Sequence, residues 1–204
     1  MELEKKNVIL VTGFGQFDNH VVNASWEAVK ELSKLCDNSN EMSDVQVVVK
    51  EIPVSYEDVS TCVPALWREY KPIVVMHCGV SGKAQCLTIE GCARSNGYRR
   101  PDIYDKRPDE SNIEFQVLET KVNVKQICDI INDNTSKTKC NACISYDAGR
   151  YLCEYIFYKS LRIASNRTLF VHVPDFDQYS SAQTAKGLYD ILCYILRDVR
   201  KRKQ

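Results

Sequence analysis

The strongest chemical signal is the segment Ser145-Tyr-Asp-Ala-Gly-Arg-Tyr-Leu-Cys153. A β-type run ends there, a short turn containing Gly149 follows, and a helix pattern begins. Cys153 would stand near the first turn of that helix. Unpaired amides and the positive end of the helix dipole favour a thiolate in that place. A cysteine there also reads as a small buried hydrophobe, since the chain holds ten of them. The second signal is Phe170-Val-His172-Val-Pro174, a histidine near the end of an apolar strand. Only three histidines exist. His20 falls in a polar early loop, and His77 falls inside the apolar run VVMHCG, where it reads as a satisfied core histidine. His172 alone also fits a core role. Paired with a helix-start cysteine from the preceding strand-helix unit, it is the better base. The third signal is Glu90, which ends the short run Leu-Thr-Ile-Glu. A carboxylate there could hold a histidine ring nitrogen and select its tautomer. Its plain alternative is a solvated strand-end glutamate.

These residues need a scaffold, and apolar β-type runs alternate with helix-period runs. Strands are expected at 8–12, 45–52, 73–77, 86–89, 140–145 and 168–173. Helices are expected at 23–35, 58–70, 117–132, 149–161 and 180–200, the last opened by Ser180 and Gln183 at capping-box spacing. Pro64 bends the second helix or marks its true start. Gly79 to Gly82 reads as a turn, and 91–115 as a long irregular excursion of the kind that often serves function. The alternation predicts an α/β fold with a mostly parallel sheet and helices on both faces. Ligands in such sheets sit at the carboxyl ends of the strands, which points to 13–17, 79–84, 146–153 and 173–179.

The 204 residues predict a single domain, 1–204, able to bury a core without metal or disulfide support. Lysine plus arginine equals aspartate plus glutamate, at 27 each, which removes any bulk electrostatic case for nucleic acid or a membrane surface. The basic run near Arg197 ends a predicted helix, where cations suit the dipole. No apolar run reaches the roughly 18 residues that span a bilayer. The opening MELEKKNVILVTG has no signal-peptide pattern. A cytosolic protein with reduced cysteines is therefore expected. Cys140-x-x-Cys143 lacks a second pair at zinc spacing and reads as structural, so no metal is expected. Gly13-Phe-Gly15 lacks the rest of a nucleotide fingerprint, so no cofactor is expected.

The chain resembles the pyroglutamyl peptidase I family of cysteine peptidases, also called pyrrolidone-carboxylate peptidases, in its eukaryotic branch. The resemblance rests on Val11-Thr-Gly-Phe-Gly-Gln-Phe17, Asn23-Ala-Ser-Trp26, Glu51-Ile-Pro-Val54, Val63-Pro-Ala-Leu-Trp67, His77-Cys-Gly-Val-Ser-Gly82 and Thr88-Ile-Glu90. Asp147 to Cys153 and Phe170 to Pro174 complete the set, in family order and spacing. The resemblance implies a three-layer α/β/α sandwich. It implies Cys153 as nucleophile, His172 as general base and acid, and Glu90 as the residue orienting His172. Phe14 and Phe17 match the walls of the pyroglutamyl pocket, and Gly79 and Val80 match a turn whose backbone meets the lactam. Arg100 has the spacing of an arginine that bacterial relatives place near the oxyanion. It also implies a monomer acting on small peptides with N-terminal pyroglutamate. Gln16 stands where relatives commonly have proline, and Asp18 and Asn19 replace a glycine-containing continuation. Two rival readings keep the scaffold: a cysteine hydrolase for another cyclic amide or ester, and a non-catalytic binder of pyroglutamyl termini.

Overall fold

A computed structural model describes residues 6–17 and 21–201. His20, Asp18 and Asn19 lie outside the described residues. The chain runs β1 (Asn7–Phe14), α1 (Ala24–Asp37), β2 (Val45–Ile52), α2 (Tyr56–Tyr70), β3 (Val74–Val80), β4 (Leu87–Glu90) and β5 (Cys92–Arg94). It continues with β6 (Val117–Glu119), α3 (Val124–Asp133), α4 (Thr135–Thr138), β7 (Ala142–Ser145), α5 (Leu152–Ala164), β8 (Thr168–Val173) and α6 (Ser181–Lys201). Six strands form one sheet in the order β2-β1-β3-β8-β4-β7, and β5 pairs with β6 in a small ribbon.

Each element follows from its residues. β1, β3 and β8 are buried along nearly their whole length, as strands covered on both faces must be. Alternate side chains then enter two cores. Ile9, Val11, Val74, Met76, Leu169 and Val171 meet α1, α3 and α6. Leu10, Val75 and Phe170 meet α2 and α5 on the opposite face. The result is the expected three-layer sandwich.

The starts of α1, α2 and α6 carry side-chain caps. Asn23 Oδ1 accepts from Ser25 N at 3.0 Å, and Ser55 Oγ accepts from Asp58 N at 3.2 Å. Ser180 Oγ accepts from Gln183 N at 3.2 Å, but Gln183 Nε2 donates to Lys139 O instead of returning to the cap. Only half of the expected capping box forms. Pro64 lies inside α2, which starts earlier, at Tyr56.

Two expectations are corrected. The helix expected over 117–132 divides: Val117 to Glu119 pair antiparallel with Cys92 to Arg94, and Asn123 Oδ1 caps a later start by accepting from Gln126 N. Gly79 and Val80 belong to β3, and the turn follows at Ser81 to Ala84. The sheet is mostly parallel, yet β4 runs antiparallel to β8, and β7 runs parallel to β4. These two strands are therefore reversed relative to the other four.

The excursion at 91–115 is ordered by its own carboxylates. Asp102 accepts from the amides of Tyr56, Tyr104 and Lys106, and Glu110 accepts from those of Gly97 and Tyr98. Phe157 of α5 is completely buried, with its ring 5.9 Å from that of Phe170. Truncating Phe157 to alanine should cost about 3–5 kcal/mol, read as a lower urea midpoint with an unchanged slope.

Candidate active site

His172 and Phe170 share the sheet face covered by α5, because side chains two apart on a strand point the same way. Across the antiparallel pair, Thr88 lies opposite His172 and Glu90 opposite Phe170. Glu90 is thus diagonal to His172, and its Oε1 lies 2.8 Å from His172 Nδ1. The reversal of β4 matters here. The end of β4 lies level with the middle of β8, so Glu90 is deeper in the sheet than a strand-end residue would otherwise be. It is 1% exposed, which overturns the solvated alternative. Phe170 sets its ring edge-on to the imidazole at 4.8 Å, fixing the plane of His172.

Cys153 is the second residue of α5, whose start at Tyr151 has no side-chain cap. The thiol lies close enough to His172 to act on its charge. With Nδ1 held by Glu90, Nε2 is the ring nitrogen left for the sulfur. Burial, the largest influence on His172, pushes its pKa down. The charge of Cys153, then the hydrogen bond and charge of Glu90, outweigh burial and raise it to about 10. His77 differs in every respect. Thr12 Oγ1 and Ser160 Oγ lie 2.7 Å from its two nitrogens, and burial pushes it down to about 3. It is the satisfied core histidine expected from the sequence.

Gly79 pairs with His172 across β3 and β8. A methyl group at Gly79 would sit 2.7 Å from Cys153 Sγ, 2.9 Å from Phe170 Cζ and 3.6 Å from Phe14 Cδ2. Phe14, Gly79 and Cys153 therefore form one cluster. Phe14 N donates to Ser25 Oγ, and Asn23 Nδ2 donates to Gly15 O, so the start of α1 holds this loop. Gly15 N also bonds Ile52 O, which keeps the loop on β2 beside the exposed Gln16. Phe17 is half-buried against the same core. Val80 ends β3. Arg100 is exposed, with its guanidinium 4.3 Å over the ring of Tyr151, beside the start of α5.

Sequence reading missed the neighbour of Cys153. Glu154 is 0% exposed. Its carboxylate accepts from Arg94 N at 3.0 Å, Arg94 Nη1 at 3.2 Å and Arg150 Nη1 at 2.5 Å. Asp147 takes Arg150 at 2.9 Å and Arg94 at 3.4 Å. Two cations thus meet two carboxylates around the start of α5. The signals were the Asp147–Arg150 and Arg150–Glu154 spacings of three and four residues.

Cys140 precedes β7 and is buried, Cys143 on β7 is exposed, and Cys143 Sγ lies 3.3 Å from Cys86 Sγ. Among the described residues no three acidic, histidine or cysteine side chains are grouped as a metal would need.

Comparison with known proteins decides the lineage. The family model described as pyroglutamyl peptidase matches residues 7–196. The chain belongs to the pyroglutamyl peptidase family. It is 38% identical to human pyroglutamyl-peptidase 1 over 196 residues, covering 94% of this chain and 90% of the human protein. The crystal structure of pyroglutamyl peptidase I from Bacillus amyloliquefaciens superimposes with a TM-score of 0.75 at 26% identity, over 91% of this chain and 95% of the bacterial one. The pyrrolidone carboxyl peptidase of Thermococcus litoralis shares the fold, with a TM-score of 0.80 at 22% identity over 97% and 96% of the two chains. Within the family's three-layer fold, β3, β8 and α5 bring Gly79, His172 and Cys153 together.

Gly79→Ala should lower kcat/KM for a pyroglutamyl substrate at least about 100-fold, because the methyl must displace Cys153 or Phe170. Unfolding of the variant in urea checks that the fold survives. The pH dependence has a definite sign. A histidine raised to about 10 contributes stability below its unfolded value, and that contribution is lost as pH rises through 10. Glu90→Gln removes a group that raises it, so the imidazole should lose its proton at lower pH. The alkaline limb of activity, or the imidazole resonances in an NMR titration, should move down with it. An unmoved limb would exclude Glu90 as the partner of His172.

Proposed function

We propose that Cys153, His172 and Glu90 are the nucleophile, the acid-base group and the orienting carboxylate of a hydrolase that removes N-terminal pyroglutamate from peptides. One observation carries the assignment: His172 stands between the Glu90 carboxylate and the Cys153 sulfur, at a helix start held against a strand glycine.

Pyroglutamate is a lactam without a charged amine, so its pocket needs apolar walls and a few backbone partners. Phe14 and Phe17 supply the walls. The pairing of β1 with β3 stops at Thr12 and His77, while that of β3 with β8 continues to Val80 and Val173. The β1-facing backbone edge at Gly79 and Val80 is therefore left for the lactam.

The chemistry follows from the geometry. Cys153 Sγ attacks the pyroglutamyl carbonyl, and uncapped amides at the start of α5 receive the oxyanion. Nε2 of His172 gives its proton to the leaving amine as the carbon–nitrogen bond breaks. A thioester remains. His172 then takes a proton from water, the hydroxide attacks the thioester, and pyroglutamate leaves as Cys153 regains its sulfur electrons. Glu90 keeps Nδ1 protonated and the ring in place throughout.

The reading extends to one catalytic domain working as a monomer in the cytosol. The ten free cysteines suit a reducing compartment.

Reduced protein should release the fluorophore from pyroglutamyl-aminomethylcoumarin and leave the prolyl analogue intact. Cys153→Ala should lower that rate by at least about 1,000-fold while thermal unfolding stays native-like. Ordinary turnover by the alanine variant would remove Cys153 as nucleophile.

A further inference from the structure

His172 has two sides. Cys153, Gly79 and Phe14 stand on one, the side assigned above to the pyroglutamyl ring. A cavity of about 410 Å³, lined by none of these three, opens with His172 and Glu90 in its wall. That volume lies within the roughly 300–1,000 Å³ range of ligand pockets. Neither Phe14 nor Phe17 lines it. The turn after β3 supplies Lys83, β4 supplies Thr88, and the turn after β7 supplies Asp147.

Two features give this cavity a chemical preference, since Glu90 Oε2, though without a hydrogen-bond partner among the described residues, is sealed from solvent by burial. Asp147 faces the cavity but is neutralised by Arg150 at 2.9 Å and Arg94 at 3.4 Å. Lys83 makes no side-chain hydrogen bond or ion pair among the described residues. The cavity therefore presents an uncommitted ammonium on one rim and a satisfied carboxylate on the other.

A substrate whose ring lies beside Phe14 has its scissile bond at Cys153 and its leaving nitrogen at His172. Everything beyond that nitrogen extends away from the ring. In a two-residue peptide the terminal carboxylate follows one residue later.

Resting on the reading under Proposed function, we propose that this cavity is the leaving-side subsite, and that Lys83 pairs there with a carboxylate of the departing residue. The enzyme then favours pyroglutamyl peptides carrying a negative charge just past the scissile bond. Two sources share that chemistry: the terminal carboxylate of a dipeptide, and an acidic side chain in a longer peptide.

Steady-state kinetics on three substrates tests this: pyroglutamyl-alanine, pyroglutamyl-alanine amide and pyroglutamyl-glutamate amide. The native enzyme should favour at least one carboxylate-bearing substrate over the alanine amide by about two- to fivefold in kcat/KM, mostly through KM, as suits an exposed ion pair. Preference for pyroglutamyl-alanine identifies the terminal carboxylate, and preference for the glutamate amide identifies the side chain. Lys83→Ala should bring the ratio to one and Lys83→Glu should invert it. Raised salt should shrink the native ratio, which a structural role for Lys83 would not produce. A ratio of one in the native enzyme, or a native-like ratio in Lys83→Glu, overturns the proposal. Pyroglutamyl-aminomethylcoumarin serves as the reference. If the native protein leaves it uncleaved, the underlying reading falls and this subsite with it; if it is cleaved, only the subsite is at stake.

Discussion

Cys153 and His172 meet because one position in the middle of the protein carries no side chain. β3 and β8 run side by side, which sets Gly79 next to His172. The start of α5 descends onto that pair until the Cys153 sulfur occupies space that any Cβ on Gly79 would claim. Close-packed interiors do not absorb such a collision cheaply. The reach of Cys153, the plane of His172 against Phe170, and the position of Phe14 all inherit this spacing.

The close approach is held from outside as well as inside. A buried carboxylate beside Cys153 is costly unless it is fully paired. Glu154 meets that condition with Arg150 from its own turn and Arg94 from β5. Arg94 belongs to the excursion, so the irregular stretch after Glu90 braces the helix that carries Cys153. This brace also explains why a segment with so little regular structure is ordered. Its turns wrap around Asp102 and Glu110, whose oxygens take the amide groups that no strand pairs.

The layered fold was legible because its cause is local. Val8 to Val11 and Leu169 to Val171 are apolar at every position, which only a strand covered on both faces requires. Cys153 was legible through its helix start, His77 and His172 through their strands. The reversal of β4 was legible in principle. Six residues, 81–86, separate it from β3, too few for the crossover that a parallel neighbour needs. What could not be read was the identity of its neighbour, since β8 lies eighty residues further on. Nor was Glu154 legible as a buried group, because an acid in a first helical turn is ordinary on a surface. Val117 to Glu119 looked helical because the ribbon partner that makes it a strand, β5, lies at the other end of the excursion.

The strand order carries a consequence for how the chain assembles. β3 and β4 are consecutive in the sequence, yet β8 lies between them. The wedge that completes the sheet is thus the last strand to be synthesised. Until it enters, β3 and β4 each keep an unpaired edge, the kind of surface on which chains aggregate. The same insertion delivers His172 to Glu90. A polypeptide still emerging from the ribosome therefore holds Cys153 without His172 beside it, and the two side chains come together in a single late step with closure of the sheet.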